Sequence, residues 1–187
     1  EVNRFLAGRL AALLEPQDLV WVHDYHLIPL ARMLRENGVG QRIGFFLHIP
    51  FPHFEVLRAL PVHAELLRDL CRFDVVGFQT ANDLNSFRDS IEYTWGRDAV
   101  RDPEYVQVEG RRVRAAVYPI GVDVEGIRTE AEASGQSEAV RRMERSVGER
   151  QLVIGVDRLD YSKGLVERFG AFQRFLEANP DSHGKVT

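Results

Sequence analysis

Three apolar runs in this sequence hand over directly to ionisable side chains. "LVWVHDYH" brings His23, Asp24 and His26, "IGFFLHIPFP" brings His48, and "LVIGVDRLDYSK" brings Asp157, Arg158, Asp160 and Lys163. The third carries the sharpest chemical signal. A turn after a strand needs little more than two polar residues and a glycine, yet the loop from Asp157 to Gly164 is longer and holds two cations. Lys163-Gly164 falls at a predicted helix start, where unpaired N–H groups and the helix dipole already favour an anion. Cations in that place oppose the dipole unless a negative ligand arrives. Arg158 and Lys163 therefore point to recognition of phosphate or a similar oxyanion.

Each of these residues also has a plainer reading. Asp24 could cap the helix that follows it. His48, between a strand and the rigid Pro50–Pro52 turn, could be a satisfied core histidine. Arg158 and Lys163 could lie on a solvated loop, although an arginine one residue past a buried run is seldom idle. Other signals are false matches. "GVGQRIG" (Gly38–Gly44) half-matches a dinucleotide fingerprint but follows a helix and enters a strand, the reverse of the required order. His23 and His26 lack the metalloprotease spacing of histidines four apart on one helix, so no metal site is expected. Phe45, Phe46, Phe51 and Phe54 read as core, and "RRVR" (Arg111–Arg114) as a charged hairpin face.

The elements that must position the ionisable residues alternate between strand and helix. Strands are expected at Asp18–His23, Arg42–Ile49, Phe73–Thr80 and Gln151–Val156, with a hairpin around Gly110 and a further buried strand at "AAVYPI". Helices are expected at His26–Asn37, closed by Gly38, over Phe54–Arg72 with a break at Pro61, and at Ala81–Trp95. A last helix carries Leu165, Phe169, Phe172 and Leu176 at helical spacing and stops at Asn179-Pro180. Val122–Arg150 is polar and mostly helical, as suits a connection between domains. The alternation predicts an α/β fold with parallel sheets covered on both faces. In such folds ligands collect beyond the carboxyl ends of the strands.

The chain has 187 residues, room for one domain or parts of two, and its 44% hydrophobic and 28% charged content is ordinary for a globular protein. A net charge of −4 without a basic stripe argues against nucleic acid. Cys71 is the only cysteine, so an internal disulfide is impossible and a reducing, cytoplasmic setting fits. No apolar run approaches the roughly 18–20 residues of a membrane helix, so no membrane partner is expected. Glu1 opens inside helical text and "GKVT" reads as the start of a strand. An internal fragment of a longer protein is the expectation.

With these residues in view, the sequence resembles the trehalose-6-phosphate synthase family, retaining glycosyltransferases of the GT-B architecture with two Rossmann-like domains. The resemblance rests on "VWVHDYHL" (Val20–Leu27), "GFFLHIPFP" (Gly44–Pro52), "VVGFQT" (Val75–Thr80), "YPIGVD" (Tyr118–Asp123) and "VDRLDYSKGL" (Val156–Leu165), in order over most of the chain. It implies transfer of glucose from UDP-glucose, or GDP-glucose, to glucose 6-phosphate, with neither metal nor cofactor. Carried over by motif, Asp24 looks like the acceptor-sugar contact. His48 is similar to the residue that touches the donor glucose near the reacting centre. Arg158 and Lys163 resemble the pair that binds the donor diphosphate and supports its departure, so His48, Arg158 and Lys163 are the catalytic candidates.

The same resemblance implies that residues 1–125 are the later part of an N-terminal, acceptor-side domain, and 126–187 the connection and start of a C-terminal, nucleotide-sugar-binding domain. It leaves a homo-oligomer open, and implies that this stretch alone is inactive. Two alternatives share the donor loop. One is a transferase using glycerol 3-phosphate or another phosphorylated acceptor. The other is a sensor that binds sugar phosphate without turnover, against which the intact Asp24, His48, Arg158 and Lys163 weigh.

Overall fold

In the computed structural model, which describes residues 1–187, five strands form one sheet in the order β1-β2-β3-β5-β4. They are β1 (Leu19–His23), β2 (Arg42–Phe46), β3 (Val75–Phe78), β4 (Tyr105–Val108) and β5 (Arg111–Val117). Neighbours are parallel except β4, which runs antiparallel to β5 at one edge. The register sets Val22, Phe45, Val76 and Ala115 in one row across four strands, each at most 3% exposed. Val20, Ile43, Phe78, Val106 and Val113 extend the same buried face. This is the alternation that β-branched and aromatic residues favour on a pleated, half-buried surface.

Five helices accompany this sheet: α1 (Val2–Ala11), α2 (Leu30–Glu36), α3 (Phe54–Leu57), α4 (His63–Leu70) and α5 (Ala81–Trp95). Gly38, with φ +79°, closes α2. The Gly38 N–H donates to Arg35 O and the Val39 N–H to Leu34 O, the paired bonds of a glycine-terminated helix. Pro61 lies in the gap between α3 and α4, where a residue without an N–H does least harm. α5 starts with a reciprocal cap: Thr80 Oγ1 accepts from the Asp83 N–H and the Thr80 N–H donates to Asp83 Oδ2, both at 3.2 Å. Phe87 and Ile91, one turn apart, are fully buried. Phe51, Phe78 and Phe87 pack as a ring trio with centroids 5.2–5.8 Å apart.

Several expectations need correcting. The hairpin and the "AAVYPI" strand are one element, because β5 runs unbroken from Arg111 to Val117. The turn before it uses Glu109 and Gly110, both with positive φ (49° and 77°), the conformation a two-residue hairpin needs. The expected helix from His26 divides into a 3₁₀ turn at Tyr25–Leu27 and α2, with Pro29 at the join. The second face of the sheet is open at β1. Leu19 and Trp21, on that face, are 67% and 66% exposed, and no helix of this unit shields them.

Contacts between Cα atoms divide the chain into Glu1–Gly121, just described, and Val122–Thr187. The second unit contains α6 (Val124–Ser134), α7 (Glu138–Val147) and α8 (Leu165–Ala178). Side chains of Asp123 and Ser137 cap α6 and α7 by accepting the Gly126 and Val140 N–H groups. Gln151–Val156 is not a strand here. Its backbone is paired only with Lys185–Thr187, through bonds at Gln151 and Val153, and Ile154 and Val156 are exposed. An apolar run becomes a strand only where neighbouring backbone meets its N–H and C=O groups, and within this chain it finds too few.

Candidate functional site

The parallel ladders run one bond past the strand ends, and this sets the loops that carry the ionisable residues. Asp24 N–H donates to Phe46 O (2.9 Å), Leu47 N–H to Gly77 O (3.1 Å) and Tyr118 N–H to Phe78 O (2.8 Å). Directly after β1 the backbone turns through an unusual conformation: Asp24 has φ 70° and ψ 160°, a region that belongs almost wholly to glycine. The Asp24 side chain makes no cap to the following turn. Its Oδ1 accepts the backbone N–H of His48 at 3.1 Å. The capping reading gives way to a bridge between the loops after β1 and β2.

His48 is exposed, so it is no core histidine. Its ring lies edge-on to Phe46, with centroids 4.8 Å apart, and its Nε2 is 2.9 Å from Nδ1 of His23. His26 turns elsewhere and stacks on Tyr25, centroids 4.0 Å apart. The structure thus brings Asp24, His23 and His48 together at the carboxyl ends of β1 and β2. That is where an open α/β sheet binds ligands.

The stretch after His48 is anchored from below. Asp83 Oδ1 accepts the Phe51 N–H at 3.0 Å, while its Oδ2 takes the Thr80 hydroxyl at 2.6 Å. The end of β3, "VVGFQT", carries no ionisable side chain but supplies a clamp. The Gln79 side chain donates to Ile120 O (3.3 Å) and accepts from Ile120 N–H (3.1 Å), tying down the "YPIG" segment. Gly77 is required beside it, since a Cβ there would lie 2.9 Å from ring carbons of both Phe46 and Tyr118. Neither the clamp nor the His23–His48 contact has a sequence signal, because each joins residues far apart in the chain.

The backbone at Asp24 leads to a direct test. Asp24→Ala is expected to lower the unfolding free energy by about 1–2 kcal/mol, since it removes the bond to the His48 N–H and leaves a Cβ in a conformation that disfavours one. Asp24→Gly should be the more stable of the two, because glycine adopts that backbone freely. Urea unfolding of both variants decides it; an alanine variant as stable as the glycine one would contradict the strain at this position.

In the second unit, the loop that follows Gln151–Val156 has its acids engaged and its cations free. Asp157 pairs with Arg168 on α8. Asp160 Oδ1 accepts the Ser162 N–H at 2.9 Å and caps the turn Tyr161–Lys163. That hydrogen bond, helped by the nearby charges of Arg158 and Lys163, holds the Asp160 carboxyl below its usual range. Gly164 takes the left-handed conformation (φ 60°, ψ 36°) and leads into α8 at Leu165. Arg158 and Lys163 are exposed, and neither side chain has a hydrogen bond or ion pair to another protein group. Two uncommitted cations next to a helix start, with their acidic neighbours already satisfied, form a place for an anion.

The model of glycosyltransferase family 20 matches residues 1–187. The chain belongs to glycosyltransferase family 20. Among its relatives is a trehalose-6-phosphate synthase of Sinorhizobium fredii, 47% identical over 186 residues, covering 100% of this chain and 40% of the relative. A UDP-forming alpha,alpha-trehalose-phosphate synthase of Burkholderia xenovorans, solved in complex with glucose-6-phosphate, superposes with a TM-score of 0.89 at 51% identity, over 100% of this chain and 41% of that one. The UDP-forming enzyme of Burkholderia vietnamiensis gives 0.88 at 49% identity, over 100% and 42%. This family 20 chain therefore spans about 40% of the length of the curated relatives it matches. Its α/β fold, with a mostly parallel sheet flanked by helices, is that of these structures and is the GT-B type implied by the sequence motifs.

Proposed function

We propose that the polypeptide carrying this chain transfers glucose from UDP-glucose to glucose 6-phosphate with retention at the anomeric carbon, releasing UDP and forming trehalose 6-phosphate. The observation that carries this reading is the loop Asp157–Gly164, where Arg158 and Lys163 are free while Asp157 and Asp160 are occupied. In the proposed reaction the two cations hold the donor diphosphate and neutralise the charge that grows on it as the glycosidic bond to phosphate breaks. His48 presents an exposed ring to the donor glucose. Asp24 uses one oxygen on the His48 N–H, which leaves its Oδ2 to accept from a hydroxyl of the acceptor sugar. The UDP-forming relatives support UDP-glucose over GDP-glucose.

On this reading residues 1–125 belong to the acceptor-side domain, and residues 126–187 to the connection and the opening of the nucleotide-sugar domain. A cytoplasmic setting belongs to the same proposal, in keeping with the single, buried Cys71. No helix is long and apolar enough to cross a membrane.

The deciding experiment is thermal unfolding of the full-length protein with UDP-glucose or GDP-glucose, each with and without glucose 6-phosphate. Protection by UDP-glucose that grows when glucose 6-phosphate is added is the expected result. Equal protection when glycerol 3-phosphate replaces glucose 6-phosphate, or none from either nucleotide sugar, overturns it. Protection by both substrates without transfer would identify a sensor.

A further inference from the structure

We propose that His23 is a positioning residue for His48, fixing which ring nitrogen of His48 carries a proton. The proposal rests on the reading of His48 as the donor contact. Nδ1 of His23 and Nε2 of His48 lie 2.9 Å apart. Two imidazole nitrogens at that distance form a hydrogen bond only when one bears a proton and the other a lone pair. Nε2 of His48 is thereby committed to His23, and Nδ1 is the one nitrogen left to meet a ligand. In a neutral ring the character of Nδ1 is the complement of Nε2, so whichever way the shared proton sits, His23 dictates what Nδ1 offers to a sugar hydroxyl.

The surroundings restrict both rings. Trp21 lies against His23 with centroids 4.5 Å apart, and Phe46 lies edge-on to His48. The His48 backbone is fixed separately by the Asp24 carboxylate. His23 and Phe46 are register partners on adjacent strands, so the sheet itself brings the two imidazoles together.

The test is nitrogen-15 NMR of the imidazole rings in the full-length protein, with and without the substitution His23→Phe. In the wild type His48 is expected in a single tautomer, with His23 showing the complementary pattern at its Nδ1. In His23→Phe the His48 nitrogens should average between both tautomers. Turnover should fall by roughly tenfold in His23→Phe, with KM for glucose 6-phosphate little changed. A tautomerically mixed His48 in the wild type, or one unaltered by His23→Phe, overturns the proposal. A locked pair in a protein that transfers no glucose supports the pairing and counts against the functional reading alone.

Discussion

Replacing Arg158 and Lys163 together by alanine is expected to slow glucosyl transfer by about a hundred- to ten-thousandfold while leaving the fold intact. A hydrogen bond to a charged group contributes about 1.5–3 kcal/mol, and each factor of ten in rate corresponds to about 1.4 kcal/mol. Each single substitution should accordingly cost about ten- to a hundredfold or more. The fold should not notice, because both side chains are exposed and neither has a partner within the chain. Loss of Arg168 would be different, since it would release the Asp157 carboxylate from its ion pair. Steady-state kinetics in the full-length protein, with donor and acceptor varied separately, give the answer alongside a thermal melt. A fall in turnover assigns the cations to the departing diphosphate, whereas a change in donor KM alone assigns them to ground-state binding. Arg158→Lys adds a geometric test, because lysine keeps the charge and loses the planar fork. Wild-type donor kinetics in the double variant would remove the basis of the proposed function.

The parts of the molecule that could be read in advance are those set by local chemistry. Gly38 after a helical run and Gly110 in a hairpin each announce a backbone conformation that few other residues accept, and each is found there. The placement of Asp24 and His48 at strand ends followed from apolar periodicity in the same way. What stayed hidden depends on partners. Gln151–Val156 is as apolar as a strand should be, but a strand is a pairing and this run has little to pair with. Leu19 and Trp21 look identical in sequence whether their face of the sheet is covered or bare. The cation loop was legible as an oddity of composition, yet the engagement of its acids with Arg168 and Ser162 was not. The approach of His23 to His48 depends on strand register, which only the folded sheet supplies.

The ion pair between Arg32 on α2 and Asp69 on α4 was equally invisible, and its removal should have the largest effect on stability. Asp69 has a side chain only 2% exposed, and it receives Arg32 Nε on Oδ1 at 2.7 Å and Nη2 on Oδ2 at 3.3 Å. Burial pushes the carboxyl above its ordinary value while the two arginine bonds push it back down. Arg32→Leu takes away the second effect and leaves the first. The expected cost is about 3–5 kcal/mol at neutral pH, the usual penalty for stranding a buried charge. Its pH dependence has a definite sign. A carboxyl whose folded pKa is raised contributes least once pH exceeds that pKa, so the deficit should be greatest at neutral pH and above. It should shrink as the medium becomes acid enough to protonate Asp69 in the folded state. Arg32→Leu/Asp69→Leu, which removes both charges, should recover most of the loss. A double-mutant cycle by urea unfolding measures the coupling, and a single-variant cost below about 1 kcal/mol would be that of a surface pair and not a buried one. The consequence reaches the candidate site, because α2 comes after the Asp24 turn and the His48 loop leads through α3 to α4. If Arg32 and Asp69 keep these two helices in place, Arg32→Leu should also speed hydrogen exchange at the His48 amide, whose acceptor is Asp24 Oδ1.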